Sequence, residues 1–173
     1  MDGVKNLIQQ VETLKSQKNF TKALELLEEA LSKFNDDYRI YEEIADIYLY
    51  EGKITKAKKA IDFAMNINPE SATGNYLKGF ILLSNNKIIE AIEFLEKSNH
   101  LMPNNAEVLR NLGWAYSMTG ETEKGIFILK RALNISPNDK LITEDLAMAL
   151  IGMGKVKEGN ILLEKIGKEK IFI

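Results

Sequence analysis

A reaction centre needs groups that titrate, attack or hold a metal, and this chain offers few of them. Its one histidine, His100, stands beside Pro103 near the end of a helical stretch. It lacks the partners that a nucleophile–base pair or a metal cluster requires, so it reads as a surface or inter-repeat side chain. Cysteine is absent, which excludes disulfides, thiolate zinc sites and cysteine nucleophiles and fits a reducing compartment. Neither H-E-x-x-H, nor an EF-hand loop, nor G-x-x-x-x-G-K-[ST] occurs. The stretches "GETEKGIF" and "GMGKVKEG" hold glycines and lysines, but each falls at a turn that recurs along the chain. No cofactor or metal is implied, and an enzyme is not expected.

Composition narrows the field further. The 173 residues are 45% hydrophobic and 28% charged, with a net charge of −2. This is soluble globular composition, with no basic field to attract nucleic acid or anionic lipid. The opening "MDGVKNLIQQVETLK" lacks the apolar core of a signal peptide, and no run approaches the ~18 apolar residues of a membrane span. A cytoplasmic protein without membrane insertion is the expectation.

The organising feature is a period. The three prolines, Pro69, Pro103 and Pro137, stand 34 residues apart. Rows of 34 beginning at Val4, Tyr38, Ala72, Ala106 and Lys140 bring the columns into agreement. The eighth column is mostly small (Val11, Ala45, Gly79, Gly113, Ala147), and so is the twentieth (Ala23, Ala57, Ala91, Gly125, Gly159). The twenty-seventh is small in four rows (Ala30, Ala64, Ser98, Ala132) and ends in Ile166. The eleventh (Leu14, Tyr48, Leu82, Tyr116, Leu150) and twenty-fourth (Leu27, Ile61, Leu95, Leu129, Leu163) are large. Apolar residues recur at three and four, as on a helix. Each row breaks near its middle at Lys18, Gly52, Asn86, Gly120 or Gly154, mostly residue types that tolerate a left-handed helix end. Each of the first four breaks again at Asn35 or a proline, which stops one helix and admits the next. Every row is therefore helix, tight turn, helix, with about 14 residues per helix.

A 34-residue helical hairpin with this small and large alternation resembles the tetratricopeptide repeat. The likeness spans nearly the whole chain. It departs in column four, where the family's frequent Trp gives way to Leu7, Tyr41, Asn75, Leu109 and Thr143, and in the first and last rows, as terminal repeats often do. The resemblance implies an all-α, right-handed superhelical α-solenoid of about ten antiparallel helices. It also implies one domain over 1–173, with repeats at 4–37, 38–71, 72–105, 106–139 and 140–173. The first helix of each repeat would line a concave groove through columns two, five, six, nine, twelve and thirteen. The implied function is a non-enzymatic interaction module or adaptor that holds a partner peptide or helix in that groove. A self-associating scaffold using the end repeats and the apolar tail "KEKIFI" is the alternative.

Placed on those columns, the candidate binding residues are Glu43, Asp46 and Tyr50 in the second repeat, and Tyr76, Leu77 and Phe80 in the third. Arg110, Asn111, Trp114 and Met118 follow in the fourth, and Met148 in the fifth. An apolar cluster on a face that should be solvated suggests a partner with apolar or aromatic anchors. The flanking Glu42, Glu43, Asp46, Glu144 and Asp145 would suit basic flanks on that ligand. By resemblance, Asn111 would hydrogen-bond a bound peptide's backbone. The Lys, Asn and Arg set with which one subclass clamps chaperone carboxylates is missing from every three consecutive rows, so a carboxylate-clamp co-chaperone is not expected. Basic residues such as Arg110 are too few in the groove columns to track a phosphate backbone, so nucleic acid is not expected either. The tail itself reads as folding back over the last helix, with a partner or homo-oligomer contact as the alternative.

Overall fold

The computed structural model describes residues 3–172 of the chain. Among them are ten α-helices: α1 Gly3–Ser16, α2 Phe20–Leu31, α3 Tyr38–Tyr50, α4 Ile54–Ile67, α5 Ala72–Ser84, α6 Ile88–Leu101, α7 Ala106–Met118, α8 Thr122–Ile135, α9 Lys140–Gly152 and α10 Val156–Lys165. The starts of α3, α5, α7 and α9 coincide with the starts of the rows. The chain divides into two compact units, Met1–Ile81 and Leu82–Ile173, with the boundary inside α5.

The mid-row turns explain the first break in each repeat. Lys18, Gly52, Asn86, Gly120 and Gly154 all have positive φ, between 57° and 91°. In four repeats the left-handed residue closes the preceding helix with two back-bonds. In the second, Lys53 N–H donates to Tyr48 O at 2.7 Å and Gly52 N–H to Leu49 O at 3.0 Å. The same pair of bonds recurs at Asn19 and Lys18, at Lys87 and Asn86, and at Lys155 and Gly154. They satisfy carbonyls that a helix end leaves open.

The prolines explain the second break. Asn68, Met102 and Ser136, each just before a proline, leave the helical region, with φ of −137°, −134° and −125° and ψ of 93°, 80° and 76°. A following pyrrolidine ring disfavours the helical conformation in the residue before it. Two residues beyond the proline stands a polar cap. Asn105 accepts from Glu107 and Val108 N–H, Asp139 from Leu141 and Ile142 N–H, and Ser71 Oγ from Gly74 N–H at 3.2 Å. Asp37 caps α3 in the row that has Asn35 instead of proline. Such caps hold a helix start by about 1 kcal/mol each.

Packing within the hairpins follows the small columns. In the second unit Gly113 on α7 and Gly125 on α8 face each other. A Cβ on Gly125 would stand 2.5 Å from Gly113 O, and one on Gly113 would stand 2.9 Å from Gly125 O. Gly159 meets α9 in the same way, 2.7 Å from Ala147 O. In the first unit Ala23, Ala45 and Ala57 are fully buried at the equivalent columns. The large columns fill the remaining space, and Leu27, Ile61, Leu95 and Leu129 are wholly enclosed. Asn75 takes the place of the family's column-four aromatic. It is fully buried, and its Nδ2 donates to Pro69 O at 3.0 Å and Ser71 O at 2.7 Å, tying down the inter-repeat turn.

The last repeat departs from the row plan. The sequence predicts a second helix of about 14 residues, but α10 has ten. Gly167 at φ 76° ends it with the same two-bond turn, Lys168 N–H to Leu163 O at 2.9 Å and Gly167 N–H to Glu164 O at 3.0 Å. The chain then folds back, and Ile171 packs with Ala147, Ile151 and Leu163. Ile173 lies outside the described residues.

Two substitutions test this account by urea denaturation. Lys18 holds a left-handed conformation that a Cβ disfavours, so Lys18→Gly should stabilise the fold by about 0.5–1 kcal/mol. Gly125→Val should destabilise it by about 2 kcal/mol or more, because the added carbons meet backbone. A neutral Gly125→Val would mean that the hairpin is not held by close backbone approach.

Candidate functional site

The candidate residues fall on first helices, and each unit carries its own set. In the first unit α1 and α3 are joined by one cation. Lys15 Nζ lies 2.6 Å from Glu12 Oε1, 3.0 Å from Glu43 Oε2 and 2.5 Å from Asp46 Oδ2, with its side chain nearly buried. Burial alone would lower the pKa of the Lys15 ammonium. The hydrogen bonds to Asp46 and Glu12 and the charges of Glu43 and Asp46 outweigh it, and the net shift is upward. Burial raises the Glu43 carboxyl against the opposing pull of Lys15. Glu43 and Asp46 are thus already partnered by a residue of the same chain, which leaves a cluster of three carboxylates and one ammonium.

Tyr50 is 69% exposed and stacks on Phe20 with centroids 5.7 Å apart. Tyr76 and Phe80 are half-buried and meet each other at 6.4 Å. Leu77, between them in sequence, is 2% exposed and belongs to the core of this unit with Ala57, Ile61 and Ala64.

Glu42 lies on α3 and is only 6% exposed. Its Oε1 has no hydrogen-bond partner and sits 2.8 Å from where Gly74 would carry a Cβ. Burial pushes its pKa up to about 7 and the charges of Glu43 and Asp37 add to the rise, while the nearby Ser71 hydroxyl and Gly74 N–H oppose it.

In the second unit, α7 and α9 carry the set. Arg110 Nε donates to Asp145 Oδ2 at 2.6 Å. Burial raises the Asp145 carboxyl, and Arg110 pulls it back down. One and two turns beyond Arg110 stand half-buried Trp114 and exposed Met118 (56%), and on α9 Met148 is 49% exposed. Asn111 is 9% exposed and donates from Nδ2 to Glu107 O at 3.2 Å within its own helix. A recess of about 480 Å³ opens where α7 and α9 begin, lined by Glu107, Arg110, Asp139 and Leu141. Glu144, the other acidic flank, pairs with Lys168 of the returning tail.

Two roles were not read from the sequence. Lys15 falls in column twelve of the first row, with nothing local to mark its partners, and Asn160 carries no signal of its own. The contacts of both span many residues, 28 from Lys15 to Glu43 and 11 from Asn160 to Ile171, so no local pattern announces them.

Among the described residues, no three His, Asp or Glu side chains gather in a way that could hold a metal ion. None of the helices among those residues is long and apolar enough to cross a membrane. The fold and the side chains together define a helical-hairpin repeat protein whose candidate sites are faces of helices.

The tetratricopeptide repeat model matches residues 14–79 and 82–142, well over half of the chain. The chain belongs to the tetratricopeptide repeat family, and its fold class is the all-α solenoid of that family. No curated protein is significantly similar in sequence. Similar solved structures include PilW, described as a widely conserved type IV pilus biogenesis factor. It has a TM-score of 0.83 at 22% identity, over 95% of this chain and 77% of that one. MamA from Desulfovibrio magneticus RS-1 has a TM-score of 0.75 at 20% identity, over 96% and 94%. YrrB, described as a TPR protein with an unusual peptide-binding site, has a TM-score of 0.69 at 16% identity, over 92% and 82%. At these identities the likeness is one of fold. Proteins of this family are in general interaction modules without catalytic activity.

Glu42 gives a pH test. Its folded pKa lies above the ordinary carboxylate value, so the folded chain holds a proton that the unfolded chain has released between about pH 4.5 and 7. The contribution is complete below pH 4.5 and is lost as pH rises through 7, by an amount on the order of 3 kcal/mol. Glu42→Gln should therefore gain stability relative to wild type on going from pH 5 to pH 8. A wild-type to variant difference that stays constant with pH would show that Glu42 is ionised in the folded chain.

Proposed function

We propose that this chain is a non-enzymatic interaction module that binds a partner protein through the faces of its first helices. The observation that carries the reading is the exposure of Met118 and Met148 on α7 and α9, the helices that also carry Trp114 and the Arg110–Asp145 pair. Exposed apolar side chains grouped on neighbouring first helices are the kind of surface that marks protein contacts. Methionine suits an adaptable apolar ligand surface. On the first unit, Tyr50, Tyr76 and Phe80 supply aromatic contact beside the Glu12, Glu43 and Asp46 carboxylates, which favour basic flanks on the ligand. Leu77 supports the face from the core, and Asn111, bonded within its own helix, is a polar group of limited reach. The peptide-binding description of YrrB supports a protein ligand. An adaptor acting in the cytoplasm is the cellular reading that fits this composition.

A second reading is self-assembly through the end repeat. It is favoured by Phe172, 87% exposed, and by Ile161, 61% exposed on α10. The two readings separate in one experiment. The purified chain and its Tyr76→Ala, Phe80→Ala, Trp114→Ala variant are used as baits in lysate of the source cells, with helix content checked by circular dichroism. Prey captured by the wild type and reduced at least tenfold with the variant supports the first-helix faces. Equal capture by both, or capture of the chain's own copies alone, moves the interaction elsewhere.

A further inference from the structure

Apart from the first-helix faces, the second unit already holds a peptide, and it is the chain's own. After α10 the backbone turns at Gly167 and runs back without regular secondary structure. Asn160, on α10 and only 8% exposed, reads one residue of that segment completely. Its Nδ2 donates to Ile171 O at 2.8 Å, and its Oδ1 accepts from Ile171 N–H at 2.9 Å. A carboxamide that pairs with both the N–H and the C=O of one residue recognises backbone, as a neighbouring strand would. It places no demand on whose backbone it is.

The side chains around it add selectivity. Ile171 packs on Ala147, Ile151 and Leu163, with Leu162 and Ile166 at the margin. Lys168 pairs with Glu144 on α9, and Lys170 Nζ lies 2.7 Å from Glu164 on α10. Both ion pairs are largely exposed and add little holding force. The docking therefore rests on two hydrogen bonds and one aliphatic side chain, a set small enough to exchange. Left uncovered, it would present a buried-type carboxamide with both groups unmet beside an open aliphatic pocket.

We propose that this surface of α9 and α10 is a docking site for an extended segment of a partner protein. The segment carries an aliphatic residue with lysines one and three positions before it, and residues 168–171 occupy the site in cis until such a segment displaces them. The acidic side chains Glu144 and Glu164 favour lysines at the two basic positions without holding them firmly. Asn160 and the Ala147, Ile151 and Leu163 pocket fix the aliphatic one.

The test uses the full chain carrying Lys168→Ala and Ile171→Gly, which unlatches the segment without touching α9 or α10. The probe is an acetylated, fluorescein-labelled peptide Lys-Glu-Lys-Ile-Phe-Ile followed by fluorescence polarisation. The unlatched chain should bind it at least tenfold more tightly than wild type does. Adding Asn160→Ala should weaken that binding tenfold or more. N-methylation of the amide of the peptide's first isoleucine, which removes the donor to Asn160 Oδ1 and leaves the protein unaltered, should do the same. No binding to the unlatched chain, equal binding to wild type, or indifference to the N-methyl group would overturn the proposal. So would a wild-type chain that dimerises and becomes monomeric when unlatched, since the occupant would then be a second copy.

Discussion

The structure depends on how closely two helix backbones approach within each hairpin. Gly113 and Gly125 set that distance in the fourth repeat and Gly159 against Ala147 in the fifth, while Ala45 and Ala57 do so in the second. A pair of helices this close cannot bury all of its apolar surface alone, so each hairpin leaves a large-residue face for the next element. The turns must then be short enough to keep the small columns opposite one another. Left-handed residues closed by two back-bonds achieve this, including the two non-glycine cases, Lys18 and Asn86. The 34-residue spacing follows from two helices, one tight turn and one proline-punctuated connection.

Once the hairpin faces are committed to packing, little but the outer faces of the first and second helices remains for function. On the first helices the structure balances charge internally before offering it outward. Lys15 gathers three carboxylates, and Arg110 meets Asp145 across α7 and α9. What is left over is apolar and aromatic, at Tyr50, Met118 and Met148. A surface of that kind selects shape and apolar content first, with a modest preference for basic neighbours.

Much of this was legible in the sequence, for a physical reason. Small, large and breaker columns each report one strong local constraint, and the starts of α3, α5, α7 and α9 fall on the predicted rows. Side-chain fates within the candidate face were less legible. Leu77 and Tyr76 are neighbours on one helix, yet one is core and the other half-exposed. A rotation of 100° between adjacent residues decides this, and column assignment alone does not resolve it. Glu42 shares the acidic run with Glu43, but only the structure shows it enclosed against Gly74. The early end of α10 was hidden because Gly167 resembles a mid-row turn in a place where the period calls for helix. Asn160 was invisible because its partner is the backbone of Ile171, which no residue pattern encodes.

The central claim is that partners meet the first-helix faces. Hydroxyl-radical footprinting of the chain alone and of the chain bound to its captured partner tests it most directly. The account predicts protection of Trp114, Met118 and Met148, with Phe127 on α8 and Ile161 on α10 still reactive. Protection of Phe127 and Ile161 with the first-helix residues unchanged would contradict it and place the contact on the second helices.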